Sequence, residues 1–310
     1  MTDARARAAE VANELAAEQG DDVLVLDWTR DAAKRCSREW VFNVMDGRHL
    51  ILCSALTTTC DPADTKALLL QLRGQGVQPK VVYVDDECCG AWPKLMKELW
   101  PDAMVKLDAM HAIRRLTSTV VCTQHPWHGQ FCRSLSNAIY TESDIATECL
   151  SAACGETGGP MRASSQGGRR SISNPTRIVA SIEKVLREFS AAHKQAGPLL
   201  TDSTQAAWLR LKQHVAAGCL CDPPNLQTAR GSSALEGFHT HQKDWLGSLA
   251  HHNPEAGAAL LADGAVRWNR KIRSKLPHES KKPTVYAGGL LDSLAQARAG
   301  ACDDGCVVVP

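Results

Sequence analysis

Hydrophobic positions in the first third of the chain come in short blocks rather than at helical intervals. DVLVLD (22–27) is an apolar run closed by an acid; KVVYVD (80–85) and AMVKLD (103–108) repeat the form. Apolar blocks of this length predict buried strands. EWVFNVM (39–45) and RHLILCSALT (48–57) flank Asp46-Gly47, and an Asp-Gly between two β-rich runs predicts a hairpin. Over 62–73, Leu68, Leu69 and Leu72 share one side of a helix, and WPKLMKELW (92–100) reads as another. After Asp108, MHAIRRLTSTVV places Met110, Ile113 and Leu116 on the apolar side of a third helix.

The order is a set of hairpin-linked strands followed by two strand–helix units. It predicts an α/β fold with a mixed sheet, an antiparallel meander continued by parallel strands and flanked by helices. Over 127–225 the pattern turns helical, with helices at 176–194 and 205–217 that surround nothing recognisably catalytic. Residues 154–175 interrupt them and are Gly/Ser-rich, as a mobile loop would be. A new amphipathic helix follows over 229–249, where Leu235, Phe238, Gln242, Trp245 and Leu249 form a stripe broken only by Gln242. A last helix is predicted over 254–275. The expected organisation is an N-terminal extension (1–20), a core (21–126), a helical insertion (127–228), the rest of the core (229–275) and a loop-rich tail (276–310).

Composition narrows the classes. The 310 residues are 44% hydrophobic and 22% charged, ordinary for a globular chain. No run reaches the roughly 18 apolar residues of a membrane span, and the first twenty residues lack an apolar signal core, so secretion is not expected. A net charge of +1 argues against strong autonomous binding to nucleic acid. Thirteen cysteines without a leader favour reduced thiols over a disulfide framework. Two paired CxxC motifs are absent; Cys88-Cys89, Cys219-x-Cys221, Cys302-x3-Cys306 and the mixed group Cys122, His125, His128 are weak zinc signals. Cys88 and Cys89 read better as small apolar side chains packed under the candidate site formed by the strand-end acids.

Parallel strands bring their C-terminal ends to one edge, where open α/β sheets bind ligands. Asp27, Asp85 and Asp108 each close an apolar run. Acids gathered at such an edge suit a metal-dependent phosphotransfer site, with Mg²⁺ held by a few hard oxygen ligands. Asp27 and Asp85 supply two, and Glu236, near the start of a helix, is the candidate for the third.

These residues resemble the signature of DDE transposases with a ribonuclease H-like fold. The likeness is closest to the hAT and Mutator-like groups, which carry a C/D(2)H motif after the second acid and a helical insertion before the catalytic Glu. It rests on Asp27, Asp85, Asp108-x-x-His111 and Glu236 in RGSSALEGFH. The segments VYVDDECCG, VKLDAMHAIRR, CLCDPPN and AVRWN also look like uncharacterised transposase-derived animal proteins. The resemblance covers about residues 20–275.

What it implies is an α/β ribonuclease H-like core with a large helical insertion, acting on DNA phosphodiesters by hydrolysis and strand transfer. Asp27, Asp85 and Glu236 would be the catalytic acids and ligands of two Mg²⁺ or Mn²⁺ ions, with Asp86 one residue from Asp85 as the alternative second acid. Asp108 and His111 would support the site, and Arg114, Arg115, Arg230 and Lys243 would contact phosphates. DNA would be the partner, bound weakly without a separate module, with homodimerisation open and a nuclear or cytoplasmic location. A domesticated, inactive remnant, a non-enzymatic scaffold and a ribonuclease H-like nuclease are the rival functions.

Plainer readings stand beside these. Asp27 and Asp85 also fit solvated strand ends, and Ser233-x-x-Glu236 fits a capping box. Asp108 fits an N-cap followed by an exposed His111. Arg114-Arg115 fits a solvated face, and His239-x-His241 reads as surface.

Overall fold

The computed structural model describes residues 11–18, 20–36, 38–142, 170–172, 174–191, 196–223, 233–246 and 252–276. Five strands form one sheet in the order β3-β2-β1-β4-β5: β1 (Val23–Thr29), β2 (Trp40–Asp46), β3 (Ile51–Thr57), β4 (Val81–Val84) and β5 (Met104–Leu107). β2 runs antiparallel to its neighbours β1 and β3, and β1, β4 and β5 run parallel. The expected mixed α/β sheet is therefore present.

The helices are α1 (Lys66–Gly74), α2 (Ala91–Leu99), α3 (Ala109–Thr117), α4 (His128–Ile139), α5 (Pro175–Ala191), α6 (Asp202–Ala216), α7 (Ser233–Trp245) and α8 (Pro254–Arg273). Residues 11–16 are also helical. No helix among the described residues is long and apolar enough to cross a membrane.

Strand side chains alternate between faces, so one strand serves two cores. Leu24, Leu26, Phe42, Val44, Val82 and Val84 pack with Leu69 and Leu72 of α1 and with Trp92, Met96 and Leu99 of α2. Val23, Val25, Met45, Ile51, Val81 and Tyr83 point the other way, onto Leu235 and Phe238 of α7 and Ala265 of α8. The helix carrying Glu236 thus covers the face to which the odd-numbered residues of β1 and β4 belong. α8 meets α7 at close range: a Cβ on Gly264 would stand 2.0 Å from the Trp245 ring.

Two local expectations need correction. β1 does not stop at Asp27; it runs to Thr29 because Asp27, Trp28 and Thr29 still pair with Asn43, Phe42 and Val41. The hairpin turn is also longer than Asp46-Gly47. Asp46 Oδ1 accepts from the amides of Arg48 and Leu50, and His49 takes φ 70°, so a side chain organises a wider turn with a non-glycine in the left-handed region.

The polar break in the α7 stripe also has a structural cause. The Gln242 amide donates to Asn43 Oδ1 and to Ser54 Oγ, each at 2.9 Å, and accepts from Asn43 Nδ2 at 3.3 Å. All of Gln242 and Asn43 is buried, so the pair satisfies itself across β2. Asn269 of α8 plays a similar part at the sheet edge. It accepts from Ile51 N at 2.7 Å and donates to Ile51 O at 2.8 Å, which covers backbone groups of the outer strand β3. Leu249, the predicted end of the stripe, Arg230, Cys302 and Cys306 lie outside the described residues, as do 154–169 and 173.

Candidate functional site

Register brings the acids together. Leu26 pairs with Val84 and Val84 with Leu107, so the residue after each, Asp27, Asp85 and Asp108, falls in one row across three neighbouring strands. Asp108 N donates to Val84 O at 2.8 Å and extends the ladder to that row. The three acids then diverge in use.

Asp108 caps α3: its Oδ1 accepts from Met110 N at 2.8 Å and His111 N at 3.1 Å. The cap reading of this residue holds, and it also fixes the first turn of α3 so that His111 projects over β1. His111 is not exposed: its Nε2 lies 3.4 Å from Asp27 Oδ2 and 4.0 Å from Glu236 Oε1. That buried nitrogen has no aligned hydrogen bond to either.

Asp27 is 2% exposed, and its Oδ1 accepts from Trp28 N. Glu236 arrives from α7 on the same face. Asp27, His111 and Glu236 each offer one ligand atom, and these atoms all lie within 4.8 Å of one another. Glu236 Oε1 accepts from Arg114 Nη1 at 2.8 Å, across to α3. Residues 224–232, before α7, lie outside the described residues, and with them the cap of that helix.

His239 is a residue that the surface reading missed. It is 5% exposed, with Nδ1 3.8 Å from Glu236 Oε2 and 4.0 Å from Asp27 Oδ2. A signal existed: 235, 238, 239 and 242 follow the i, i+3, i+4, i+7 spacing of a buried face. His241 is half-buried, with its ring 5.6 Å from Trp268 and 6.2 Å from Trp245.

Charge explains the local balance. Contact with His239, reinforced by Arg114 and His111, holds the Glu236 carboxyl below its usual range against the effect of burial. Burial, then the charge of Asp27, pushes Asp85 up to about 6. The negative charge of Asp27 thus opposes ionisation of Asp85. Burial would lower His111, but Asp27 first, then Asp108 and Asp85, lift it to about 9.

The predicted phosphate contacts are engaged with acids. Arg115 Nη2 donates to Asp85 O at 2.6 Å and to Asp86 Oδ1 at 2.8 Å, and Lys243 bonds Asp31 at 2.6 Å. Arg115 thereby turns the Asp86 carboxylate toward α3, which leaves Asp85 as the member of the pair electrostatically coupled to Asp27 and His111.

The donor chemistry fits a divalent cation. Carboxylates gathered with polar counter-charges around them suit a hard cation. Asp27 and Glu236, with His111 beside them, are the donors that lie within 4.8 Å of one another, and Asp85 is not in that group. If His111 ligates as well, the mixed nitrogen and oxygen set suits Mn²⁺ better than Mg²⁺.

The sign of the pH effect in metal-free protein follows from these shifts. His111, raised from 6.5 to about 9, contributes stability that is complete below pH 6.5 and lost as pH rises through about 9. With divalent ions removed, the melting temperature of the parent is expected to fall between pH 6.5 and 9 more steeply than that of His111→Gln. Calorimetry across that range tests it, and equal slopes would remove His111 from the site's electrostatics.

A second cluster was also missed. Cys88, Cys89, His214 and Cys219 offer ligand atoms all within 4.8 Å of one another. The expectation that Cys88-Cys89 merely packs apolar surface is corrected for Cys89, which is exposed, and the 205–217 helix does carry a chemically placed residue, His214. The group Cys122, His125 and His128 does not assemble in this way among the described residues; His128 turns to Cys132, with Nε2 3.8 Å from its sulfur. Compared with protein-family models and with curated proteins, the chain matches none.

Proposed function

We propose that the chain is a metal-dependent phosphotransfer domain of the DDE transposase type, with a ribonuclease H-like core, acting on DNA phosphodiesters. One observation carries the reading: Asp27 and Glu236, from opposite ends of the chain, meet beside His111 at the strand-end row that also contains Asp85. The strand order, with an antiparallel meander continued by two parallel strands, supports the same assignment.

In this reading Asp27, Asp85 and Glu236 hold two Mg²⁺ or Mn²⁺ ions, which when bound supply an activated water and stabilise the leaving oxygen. His111 and His239 orient the two carboxylates from either side. Arg114 must exchange its bond to Glu236 for a substrate phosphate, which a solvent-exposed guanidinium does at little cost.

That same bond favours a second reading. A scaffold that had lost the chemistry would keep Arg114 on Glu236 and Arg115 on Asp86 as permanent clips. Labelled single-stranded DNA, duplex DNA and RNA–DNA hybrid, incubated with the chain and Mg²⁺ or Mn²⁺, separate the readings. Metal-dependent cleavage of DNA is expected, cleavage confined to the hybrid would indicate the ribonuclease H-like alternative, and none with any substrate would favour the scaffold.

A further inference from the structure

Cys88 and Cys89 follow Asp86 in the loop between β4 and α2. Adjacent side chains normally diverge, yet these sulfurs lie 3.9 Å apart and reach the same ring. His214 Nδ1 is 3.3 Å from Cys88 Sγ and 3.5 Å from Cys89 Sγ. The backbone supplies the cause. Glu87 takes φ 51°, a left-handed conformation that turns the chain just before the pair. The Glu87 side chain then folds over Gly90, where a Cβ would stand 1.8 Å from its carboxylate, and accepts from Ala91 N.

The other two donors come from the end of α6. Gly218 has φ +75°, Gly218 N donates to Val215 O, and Cys219 N donates to His214 O, the paired bonds of a Schellman motif. That motif brings Cys219 back beside His214, and Cys219 Sγ lies 3.2 Å from Cys89 Sγ. Cys219 O accepts from Leu107 N of β5, and Gly218 O accepts from Lys106 Nζ, so the fourth donor is anchored to the sheet.

Tetrahedral zinc with Zn–S of about 2.3 Å and Zn–N of about 2.05 Å needs S···S edges of about 3.8 Å and S···N edges of about 3.5 Å. The separations of 3.9 and 3.2 Å between sulfurs and of 3.3 and 3.5 Å from sulfur to nitrogen lie close to those values. They also exceed by far the roughly 2.05 Å of a disulfide, so the sulfurs are unbonded. Three thiolates and an imidazole are a soft donor set, which selects zinc over magnesium or calcium.

We propose that Cys88, Cys89, His214 and Cys219 form a structural zinc site that fastens the end of α6 to the loop carrying Asp85 and Asp86. Four protein donors close the coordination shell and leave no position for substrate. Binding replaces the thiol protons, which pass to solvent, and involves no redox change. The site is independent of the carboxylate cluster.

The test uses the full chain, purified reduced and without chelator. Elemental analysis is expected to give one zinc per chain. Cobalt exchanged into the site should show the thiolate-to-cobalt charge-transfer band and the intense visible bands of a tetrahedral centre. Cys89→Ser, at an exposed position that does not threaten folding, and Cys219→Ser should each lose the charge-transfer intensity and at least 10-fold in zinc affinity. Cys60→Ser, exposed and elsewhere, should lose neither. Asp27→Asn should keep the cobalt spectrum, which separates this site from the acid cluster. Reduced parent protein that takes up no zinc or cobalt overturns the proposal. So does a Cys89→Ser and Cys219→Ser pair that binds cobalt with the parent's spectrum.

Discussion

Asp27→Asn is expected to abolish the thermal stabilisation that Mg²⁺ or Mn²⁺ gives the parent and to cut metal-dependent DNA cleavage at least ~100-fold. The substitution keeps shape and the Oδ1 that accepts from Trp28 N, so the fold should persist. What it removes is a carboxylate charge 3.4 Å from His111 Nε2 and within 4.8 Å of the Glu236 carboxylate. A metal-bridging carboxylate contributes several kcal/mol to charge stabilisation in the transition state, and about 2.7 kcal/mol already corresponds to 100-fold. The His111 proton supplies a second readout. Without the Asp27 charge, its pKa should drop from about 9 toward its ordinary value, visible by NMR titration. A variant that binds metal and cleaves as the parent does would show that the acids are structural.

Trp92→Ala should cause the largest loss of stability among single core substitutions, about 3–5 kcal/mol. Trp92 is 1% exposed on α2, with ring centroids 5.4 Å from Trp28 and 6.5 Å from Phe42. These rings join α2 to β1 and β2 on the face opposite Glu236. Truncation leaves a cavity between helix and sheet that neither the strands nor Met96 can fill without leaving their register. For a chain of this size the melting temperature should fall by roughly 6–20 °C. Urea unfolding measures the change, with Trp92→Phe expected to retain more than half of the lost stability. A loss under ~1 kcal/mol would mean that the aromatic cluster does not hold the layer together.

Much of the site was legible because its parts are local. An apolar block ending in an acid is a short-range pattern, and it located Asp27, Asp85 and Asp108 within two residues of their strand ends. The N-cap role of Asp108 was equally local, since a side chain bonds amides two and three residues away. The resemblance to a transposase motif supplied the order of the acids and the choice of Glu236.

Residues whose meaning depends on a partner far along the chain were read poorly. His239 looked like surface because it and His241 point in different directions on a helix; its neighbours in space are Glu236 and Asp27. Arg114 and Arg115 looked like a free basic face, and both are matched to carboxylates that other elements deliver. Cys88-Cys89 and Cys219-x-Cys221 were weak signals because neither is a recognised metal spacing, and His214, which joins Cys88, Cys89 and Cys219, belongs to neither.

The sequence by itself determined which segments are strands and helices, since burial on one face imposes periods of 2 and 3.6 that survive in isolation. It also determined the acids at the strand ends and the polar break at Gln242. Only the tertiary structure decided which sheet face α7 covers, that His111 and His239 bracket the same carboxylates, and that three thiols and an imidazole from two distant turns converge. Periodicity specifies an element's own faces. Which element meets which face depends on the register of β1 with β4, on the reversal at Glu87 and on the Schellman turn at Gly218, and these act through contacts between residues far apart in the chain.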